Sequence, residues 1–386
     1  MTPDTLFLVC TAVLLAVFLL SAFCNPFFRC PRRESSEEEL ADDAAPVLWP
    51  SISVVVLAHD EAEHLEEHLL AILAQEYPGT FDVVVVTEQG DLEAENVVKR
   101  HASDARLHST YIPSRSLFMS RRKLAASLGV KAARGEWVVL IDADCRPVSP
   151  LWLQTMARQC TEDVQVVVGY SNYPQEETPP RYRFARLRSA CYALRAAQRG
   201  SAYRSTGTNV AFRKAPFITQ DGFRENLQYI YGEYDFIVSK LGRMGAAATA
   251  LSEEAMVEQA APTRKMWREH CVGYESIRRA LRGAVWHSLQ YRADLLLMYL
   301  NWLLLIAAAV YAGLTEHWLL LGVAALLFVL TLTVRLLLAR KAIRLFGEHI
   351  ALWRVFGYEL SLGLRDLYYR LRYITSNKSD YTTHKL

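Results

Sequence analysis

Residues 123–144 read KLAASLGVKAARGEWVVLIDAD. The first half places small and apolar residues at helical spacing and stops at Gly135. The second half, Trp137 to Ile141, is an unbroken apolar run with the length and β-branched character of a strand buried on both faces. Two acids, Asp142 and Asp144, close it. The same alternation extends toward the N-terminus. SISVVVLA (Ser51–Ala58) reads as a strand. HDEAEHLEEHLLAILAQ carries Leu65, Leu69, Ile72 and Leu73 on one helical face. FDVVVVTEQG is a second valine strand, and ENVVKRHA is helical. Strands alternating with helices specify an α/β fold with a mostly parallel sheet. Functional groups in such sheets collect beyond the C-terminal strand ends, which nominates Asp60, Glu61, Glu88, Asp142 and Asp144. No GxGxxG turn and no Walker phosphate loop is present, which argues against a dinucleotide dehydrogenase and a P-loop nucleotidase.

The chain has 386 residues, 52% apolar and 22% charged, with a net charge of +2. That balance disfavours extended disorder and a strongly basic nucleic-acid binder. The mean hydropathy of +0.06 lies between that of a soluble enzyme and that of a many-span transporter, as expected for a soluble domain joined to a few membrane segments. Seven cysteines without a CxxC pair read as free thiols in a reducing compartment.

Three apolar runs supply those segments: residues 5–23, 295–312 and 318–334. Each is long enough to cross a bilayer, and the last two form a hairpin around GLTEH. Arg29, Arg32 and Arg33 follow the first run, Arg278, Arg279, Arg282 and Arg292 precede the second, and Arg340, Lys341 and Arg344 follow the third. The basic flanks place the N-terminus and the hairpin tip outside and every large segment in the cytoplasm. The expected organisation is a span at 5–23, an acidic linker at 24–50, a catalytic domain at 51–283, two further spans, and a basic amphipathic tail at 340–386. The protein is therefore expected to be a multi-pass protein of the inner or plasma membrane. Within the linker, Glu34 to Pro46 holds six acids and one large apolar residue, Leu40, and carries no chemistry.

Asp142 and Asp144 flank Ala143 at a strand end, where a turn can direct both carboxylates to one ion. Hard oxygen ligands suit Mg²⁺ or Mn²⁺, with diphosphate oxygens completing the shell. Such an ion neutralises charge on a departing nucleoside diphosphate. Lys123, Ala126, Gly129, Ala133, Gly135, Glu136 and Trp137, running into Asp142-Ala143-Asp144, resemble the core signature of glycosyltransferase family 2, the inverting nucleotide-sugar enzymes with a GT-A fold. VVVLAHDEAEHLEEHLLAILAQEYP (Val54–Pro78) is similar to the family's opening strand, its Asn-Glu loop and its Gln-x-Tyr-Pro. The resemblance covers Ser51 to Gly283.

The resemblance implies a role for each matching position. Glu61, with Asp60 where Asn is usual, and Glu88 hold the nucleoside. Thr87-Glu88-Gln89-Gly90-Asp91 departs from the family's Asp-Asp-x-Ser, which leaves the base specificity open. Lys123 contacts the nucleotide phosphates or is an exposed helix lysine. Asp142 binds ribose or metal, and Asp144 binds the metal. Gly207-Thr208-Asn209 matches a Gly-rich segment under the sugar and acceptor. Gly232-Glu233-Tyr234-Asp235-Phe236 matches the acidic motif that supplies the base, Glu233 first and Asp235 second; Asp235 is alternatively a cap of the following helix. Thr263 to Arg268 keeps the Trp and cations of a Gln-x-x-Arg-Trp motif without its Gln. Trp267 and Arg268 are placed on the acceptor side, with Trp267 alternatively anchoring an interfacial helix.

Arg181 to Arg204 holds seven arginines and no acid, interleaved with tyrosines and a phenylalanine. On a membrane-tethered chain this reads as docking to anionic lipid or to an acceptor diphosphate rather than to nucleic acid. In the tail, apolar residues from Phe346 to Leu371 recur every three or four positions, an amphipathic stripe that packs on the catalytic domain or lies in the membrane interface. The expectation is a membrane-anchored transferase moving one sugar from a nucleotide-sugar donor to a lipid-linked or glycan acceptor. The rivals are a polyprenyl-phosphate sugar synthase, a processive polysaccharide synthase and a catalytically silent membrane scaffold.

Overall fold

The valine runs occupy the middle of the central sheet. The computed structural model of the chain describes residues 3–33, 48–59, 61–113, 120–281, 283–377 and 380–381; Asp60, Arg282 and the acidic stretch at 34–46 lie outside them. Helix α1 (Pro3–Cys24) is followed by β1 (Ile52–Leu57), α2 (Ala62–Leu73), β2 (Phe81–Glu88), α3 (Leu92–Arg100), β3 (Leu107–Ile112), α4 (Arg121–Ala132) and β4 (Trp137–Asp142). Strand β1 pairs in parallel with β2, Val54 opposite Val83, and with β4, Val54 opposite Val139. All six residues of β1 and of β4 are buried. Burial on both faces accounts for their continuous apolar runs.

The chain continues through β5 (Cys145–Pro147), α5 (Trp152–Arg158), β6 (Val164–Gly169), β7 (Ser171–Asn172), α6 (Pro180–Ala197), β8 (Val210–Arg213), α7 (Lys214–Thr219), α8 (Glu233–Leu241), β9 (Ala246–Ala250), β10 (Val257–Gln259) and α9 (Arg264–Ile277). The large sheet has the order β3-β2-β1-β4-β8-β6-β9. Only β8 runs against the rest, antiparallel to both β4 and β6. This is the mostly parallel GT-A arrangement. Strand β3 is an addition to the sequence reading, so the Asp-Ala-Asp turn closes the fourth strand of the chain and not the third. A small sheet, β5-β10-β7, begins directly after that turn and sets Gln259 opposite Cys145.

Two glycines explain how tightly α4 and β4 sit on this sheet. A Cβ on Gly135 would lie 2.6 Å from the backbone of Ile52 and Ser53, and one on Gly129 would lie 2.3 Å from a methyl of Val55. The Gly135 N–H donates to Ser53 Oγ at 2.8 Å, and Ser53 donates in turn to Asp82. The glycines of the signature therefore allow backbone contact that any side chain would prevent.

The chain divides into two compact units, Pro31–Ala284 with Tyr369–Leu386, and Met1–Cys30 with Val285–Tyr368. The second contains α1, α10 (Ala284–Leu314), α11 (Trp318–Leu345), α12 (Leu352–Leu360) and the start of α13 (Leu362–Thr375). Among the described residues, α1, α10 and α11 are long and apolar enough to cross a membrane. Both C-terminal helices extend beyond the apolar segments read from sequence, and α11 runs on through Arg340 to Leu345. Helix α11 continues past Arg335 because that guanidinium is neutralised within the unit. Its Nε donates to Glu359 at 2.7 Å and its Nη1 to Ser21 at 3.1 Å.

Candidate functional site

The strand-end acids open into a cleft of about 280 Å³ in the α/β unit. Asp142, Asp144, Glu233, Asp235 and Glu61 all line it. Asp142 is the last residue of β4. The turn that follows is held from behind by His68, whose Nδ1 lies 2.9 Å from the Ala143 carbonyl. Asp144 accepts from the Gln259 amide at 3.1 Å and from the Cys145 thiol at 3.1 Å. Glu233 is the first residue of α8, after Gly232 in the left-handed region at φ +89°.

Arg122, at the start of α4, ties the two halves of the cleft together. Its Nη2 donates to both carboxylate oxygens of Asp142 at 2.7 and 2.6 Å, and its Nε donates to Glu233 at 2.5 Å. Tyr234 donates its hydroxyl to Asp142 at 2.8 Å. Burial pushes Asp142 up to about 6 against the pull of Arg122, helped by the neighbouring charges of Asp144 and Glu233. Glu233 goes the other way. Burial alone would raise it, but the charge and hydrogen bond of Arg122 outweigh that and hold the carboxyl below its ordinary value. One buried carboxylate of the pair is thus kept ionised while the other is pushed toward neutrality. Asp235 is raised by burial, although Arg204 and Ser205 oppose this. It does not cap its helix through its side chain. The carboxylate accepts from the backbone N–H and hydroxyl of Ser205 at 2.9 and 3.0 Å.

The other residues nominated from sequence fall into two groups. Gly207, Thr208 and Trp267 line the cleft. Trp267 stacks on Tyr182 with centroids 4.4 Å apart. Asn209 is fully buried beneath the cleft; its amide accepts from the Trp152 indole and donates to the Tyr170 and Ala255 carbonyls. Arg268 is half-buried and not among the lining residues. Glu88 closes β2 and pairs with Arg121 and, at 2.6 Å, with His59. Burial would raise Glu88, yet these two partners bring it below its ordinary value. Lys123 is neither exposed nor on the cleft: it is fully buried and donates to the Asn226 and Tyr229 carbonyls at 2.9 and 2.5 Å. Asp60 lies outside the described residues.

The sequence does not single out Arg122, Tyr234 or Gln259, and Arg186 enters it only as one of the seven arginines between Arg181 and Arg204 read as docking to anionic lipid or an acceptor diphosphate. Arg122 stands beside the signature lysine, and nothing in the sequence separates it from Arg121. Gln259 is brought to Asp144 only by the pairing of β10 with β5. Among the described residues no group of three or more His, Cys, Asp and Glu side chains gathers around one point. Asp142 and Asp144 nevertheless supply two hard carboxylates on one turn; among the described residues the side chain of Asp144 accepts only from neutral donors, while both Asp142 oxygens also accept from Arg122. That donor set fits a hard divalent ion whose remaining oxygens come from a bound ligand.

Residues 50–227 match the family model described as glycosyltransferase like family 2. No curated protein matches the chain. Among solved structures, the chain is similar to the mannosyltransferase PcManGT from Pyrobaculum calidifontis in complex with GDP-Man and Mn2+, at 20% identity and a TM-score of 0.53, over 95% of this chain and 99% of that one. It is also similar to residues 1–349 of TarS from S. aureus in complex with UDP-GlcNAc, at 16% identity and a TM-score of 0.43, over 64% of this chain and 71% of that one. The fold and the strand-end acids agree with the match to glycosyltransferase like family 2 over residues 50–227.

Proposed function

We propose that the chain is a membrane-anchored inverting glycosyltransferase that moves one sugar from a nucleotide-sugar donor to a lipid-linked or glycan acceptor. The observation that carries this reading is the convergence of Asp142, Asp144 and Glu233 on one cleft, with Arg122 hydrogen-bonded to both Asp142 and Glu233. The family match and the fold shared with a mannosyltransferase bound to GDP-Man support a nucleotide-sugar donor.

Inversion needs a base that removes the proton of the acceptor hydroxyl as its oxygen bonds to the anomeric carbon, while the bond from that carbon to the diphosphate breaks. Glu233 fits the role because Arg122 holds it ionised inside a buried wall. Asp235 fits it less well, since its carboxylate is committed to Ser205. Asp142 and Asp144 would hold Mg²⁺ or Mn²⁺. That ion, when bound, supplies charge neutralisation for the leaving diphosphate. Glu61 lines the same cleft, and with Asp60 and Glu88 it is assigned to the nucleoside. The basic flanks of the three apolar helices support an outside N-terminus and a cytoplasmic catalytic unit.

The test is a donor screen with the full-length protein in membranes, reading nucleoside diphosphate release with a lipid extract as acceptor. Asp144→Ala is expected to lower release by about a hundredfold, equivalent to about 3 kcal/mol of lost charge stabilisation. Glu233→Gln is expected to lower it by about 10² or more. Full turnover by Asp144→Ala would overturn the mechanism. Near-normal turnover by Glu233→Gln alongside an inactive Asp235→Asn would transfer the base role to Asp235.

A further inference from the structure

We propose that Arg186 seats a phosphate group carried by the acceptor. The proposal rests on the transferase reading above and names the chemistry of its acceptor. Arg186 extends from α6 into the cleft wall and is 8% exposed. Its guanidinium lies 3.7 Å from the ring centroid of Tyr173. Nη2 donates to the Gln259 side-chain oxygen, and Nη1 is buried without a hydrogen-bond partner. Among the described residues Arg186 forms no ion pair. The contrast with Arg122 is direct: one cleft arginine is shared between two carboxylates, and the other is compensated by a neutral amide and a ring face.

A buried guanidinium without a counter-charge is unfavourable until an anion arrives, and its planar fork matches phosphate oxygens. The guanidinium lines the open cleft, from which an anion can reach it. Gly207 has φ +139°, and a Cβ there would lie 2.7 Å from Arg186 Nη2. The glycine opens the space in which the guanidinium sits.

Two features favour the acceptor over the donor as the source of the phosphate. First, Gln259 stands between Arg186 and Asp144, donating to Asp144 Oδ2 at 3.1 Å. The guanidinium is therefore one side chain removed from the carboxylates assigned to the ion and donor diphosphate. Second, its flank is aromatic. Trp267 stacks on Tyr182 and meets Tyr173 edge-on with centroids 6.5 Å apart. A phosphate joined to an apolar chain suits a cation bordered by rings. In sequence, helix α9, which bears Trp267, ends at Ile277, and the apolar helix α10 begins at Ala284.

The experiment uses the full-length protein in detergent, with tryptophan fluorescence titrated by farnesyl phosphate, by farnesol, and by UDP and GDP with Mn²⁺. Wild type is expected to bind farnesyl phosphate at least about tenfold more tightly than farnesol, the scale of a charge-assisted hydrogen bond. Arg186→Gln is expected to abolish that preference and leave nucleotide affinity within about twofold, with Arg186→Lys intermediate. A wild type that does not distinguish phosphate from alcohol overturns the proposal, and this arm holds even where Arg186→Gln does not fold. Loss of nucleotide affinity in Arg186→Gln with farnesyl phosphate unaffected also overturns it, because the guanidinium then serves the donor. Either failure alongside intact wild-type nucleotide binding leaves the transferase reading standing.

Discussion

Arg122 and Glu233 are joined by a 2.5 Å hydrogen bond from Nε to the carboxylate, while the same guanidinium grips both oxygens of Asp142. The residues come from the start of α4 and the start of α8, 111 positions apart. This contact sets which carboxyl is ionised. Glu233 lies below its ordinary value chiefly because the charge and hydrogen bond of Arg122 offset the effect of burial, with a backbone hydrogen bond and the Lys123 charge acting the same way.

Replacing Arg122 by Met therefore has a signed consequence. In wild type Glu233 titrates below its ordinary value, so any stability it contributes is present above the unfolded value and lost as pH falls through the folded one. In Arg122→Met the largest opposition to burial is gone, and only the backbone hydrogen bond and the Lys123 charge remain against it. The acid limb of kcat/KM is expected to move upward. A pH–rate profile measures this, and an unmoved acid limb would remove Glu233 from the role of base.

Gly135 gives a test of the fold that does not involve the site. It sits against the backbone of β1, where neighbouring atoms cannot swing aside. Gly135→Ala is expected to destabilise the α/β unit by about 1–3 kcal/mol through overpacking. Gly90 is the control: its φ is +88° and a Cβ there meets nothing within 4 Å, so Gly90→Ala carries only the strain of a left-handed alanine, about 1 kcal/mol. Equal melting shifts for the two variants would contradict the close approach at Gly135.

The sequence displayed those parts of the fold whose residues interact with neighbours in the chain. Val54–Leu57, Val83–Val86 and Val138–Ile141 are apolar without interruption because both sheet faces are covered, and they read as central strands. Leu107–Ile112 carries no such continuous run because it is an edge strand, buried at Leu107 and Ile112 and partly or fully exposed between them. Strands of two and three residues, such as β7 and β10, have no period to read. In the site, the acids were legible because a strand end places them. Arg122 and Gln259 were not, because their roles depend on partners 20 to 115 positions away in the chain; Arg186 was visible only as one of seven arginines between Arg181 and Arg204, with nothing to separate it from the other six. The extended α11 was hidden for the same reason, since the partner that lets Arg335 be buried is Glu359.

That ion pair makes its own prediction. The side chains of Arg335 and Glu359 are 3% and 2% exposed, and Asn25 and Ser21 complete the cluster. Removing one partner strands a buried charge, whereas removing both does not. Glu359→Leu is expected to cost about 3–5 kcal/mol, and the double variant Arg335→Met, Glu359→Leu much less. Thermal unfolding in detergent measures both. A double variant as unstable as Glu359→Leu would show that the pair is not the dominant contact.

Lys123 supplies the last test, because its burial has a pH signature. Its side chain is enclosed in α4, with Nζ donating to the Asn226 and Tyr229 carbonyls and lying 4.7 Å from the ring centroid of Phe236. Burial pushes it down to about 7, with the Glu233 charge acting in the opposite direction. Between that value and its ordinary 10.5 the unfolded chain holds a proton that the folded chain has released. The destabilisation is therefore complete below about pH 7 and is relieved as pH rises through that window, at up to about 1.4 kcal/mol per pH unit. Wild type is expected to gain about 2 kcal/mol between pH 7.5 and 9.5 relative to Lys123→Met. The variant also loses two hydrogen bonds, but that loss is an offset and not a slope, so chemical denaturation at several pH values separates the two effects. Parallel stability curves for wild type and Lys123→Met would show that Lys123 keeps its proton in the folded chain, held by the two carbonyls and by Glu233.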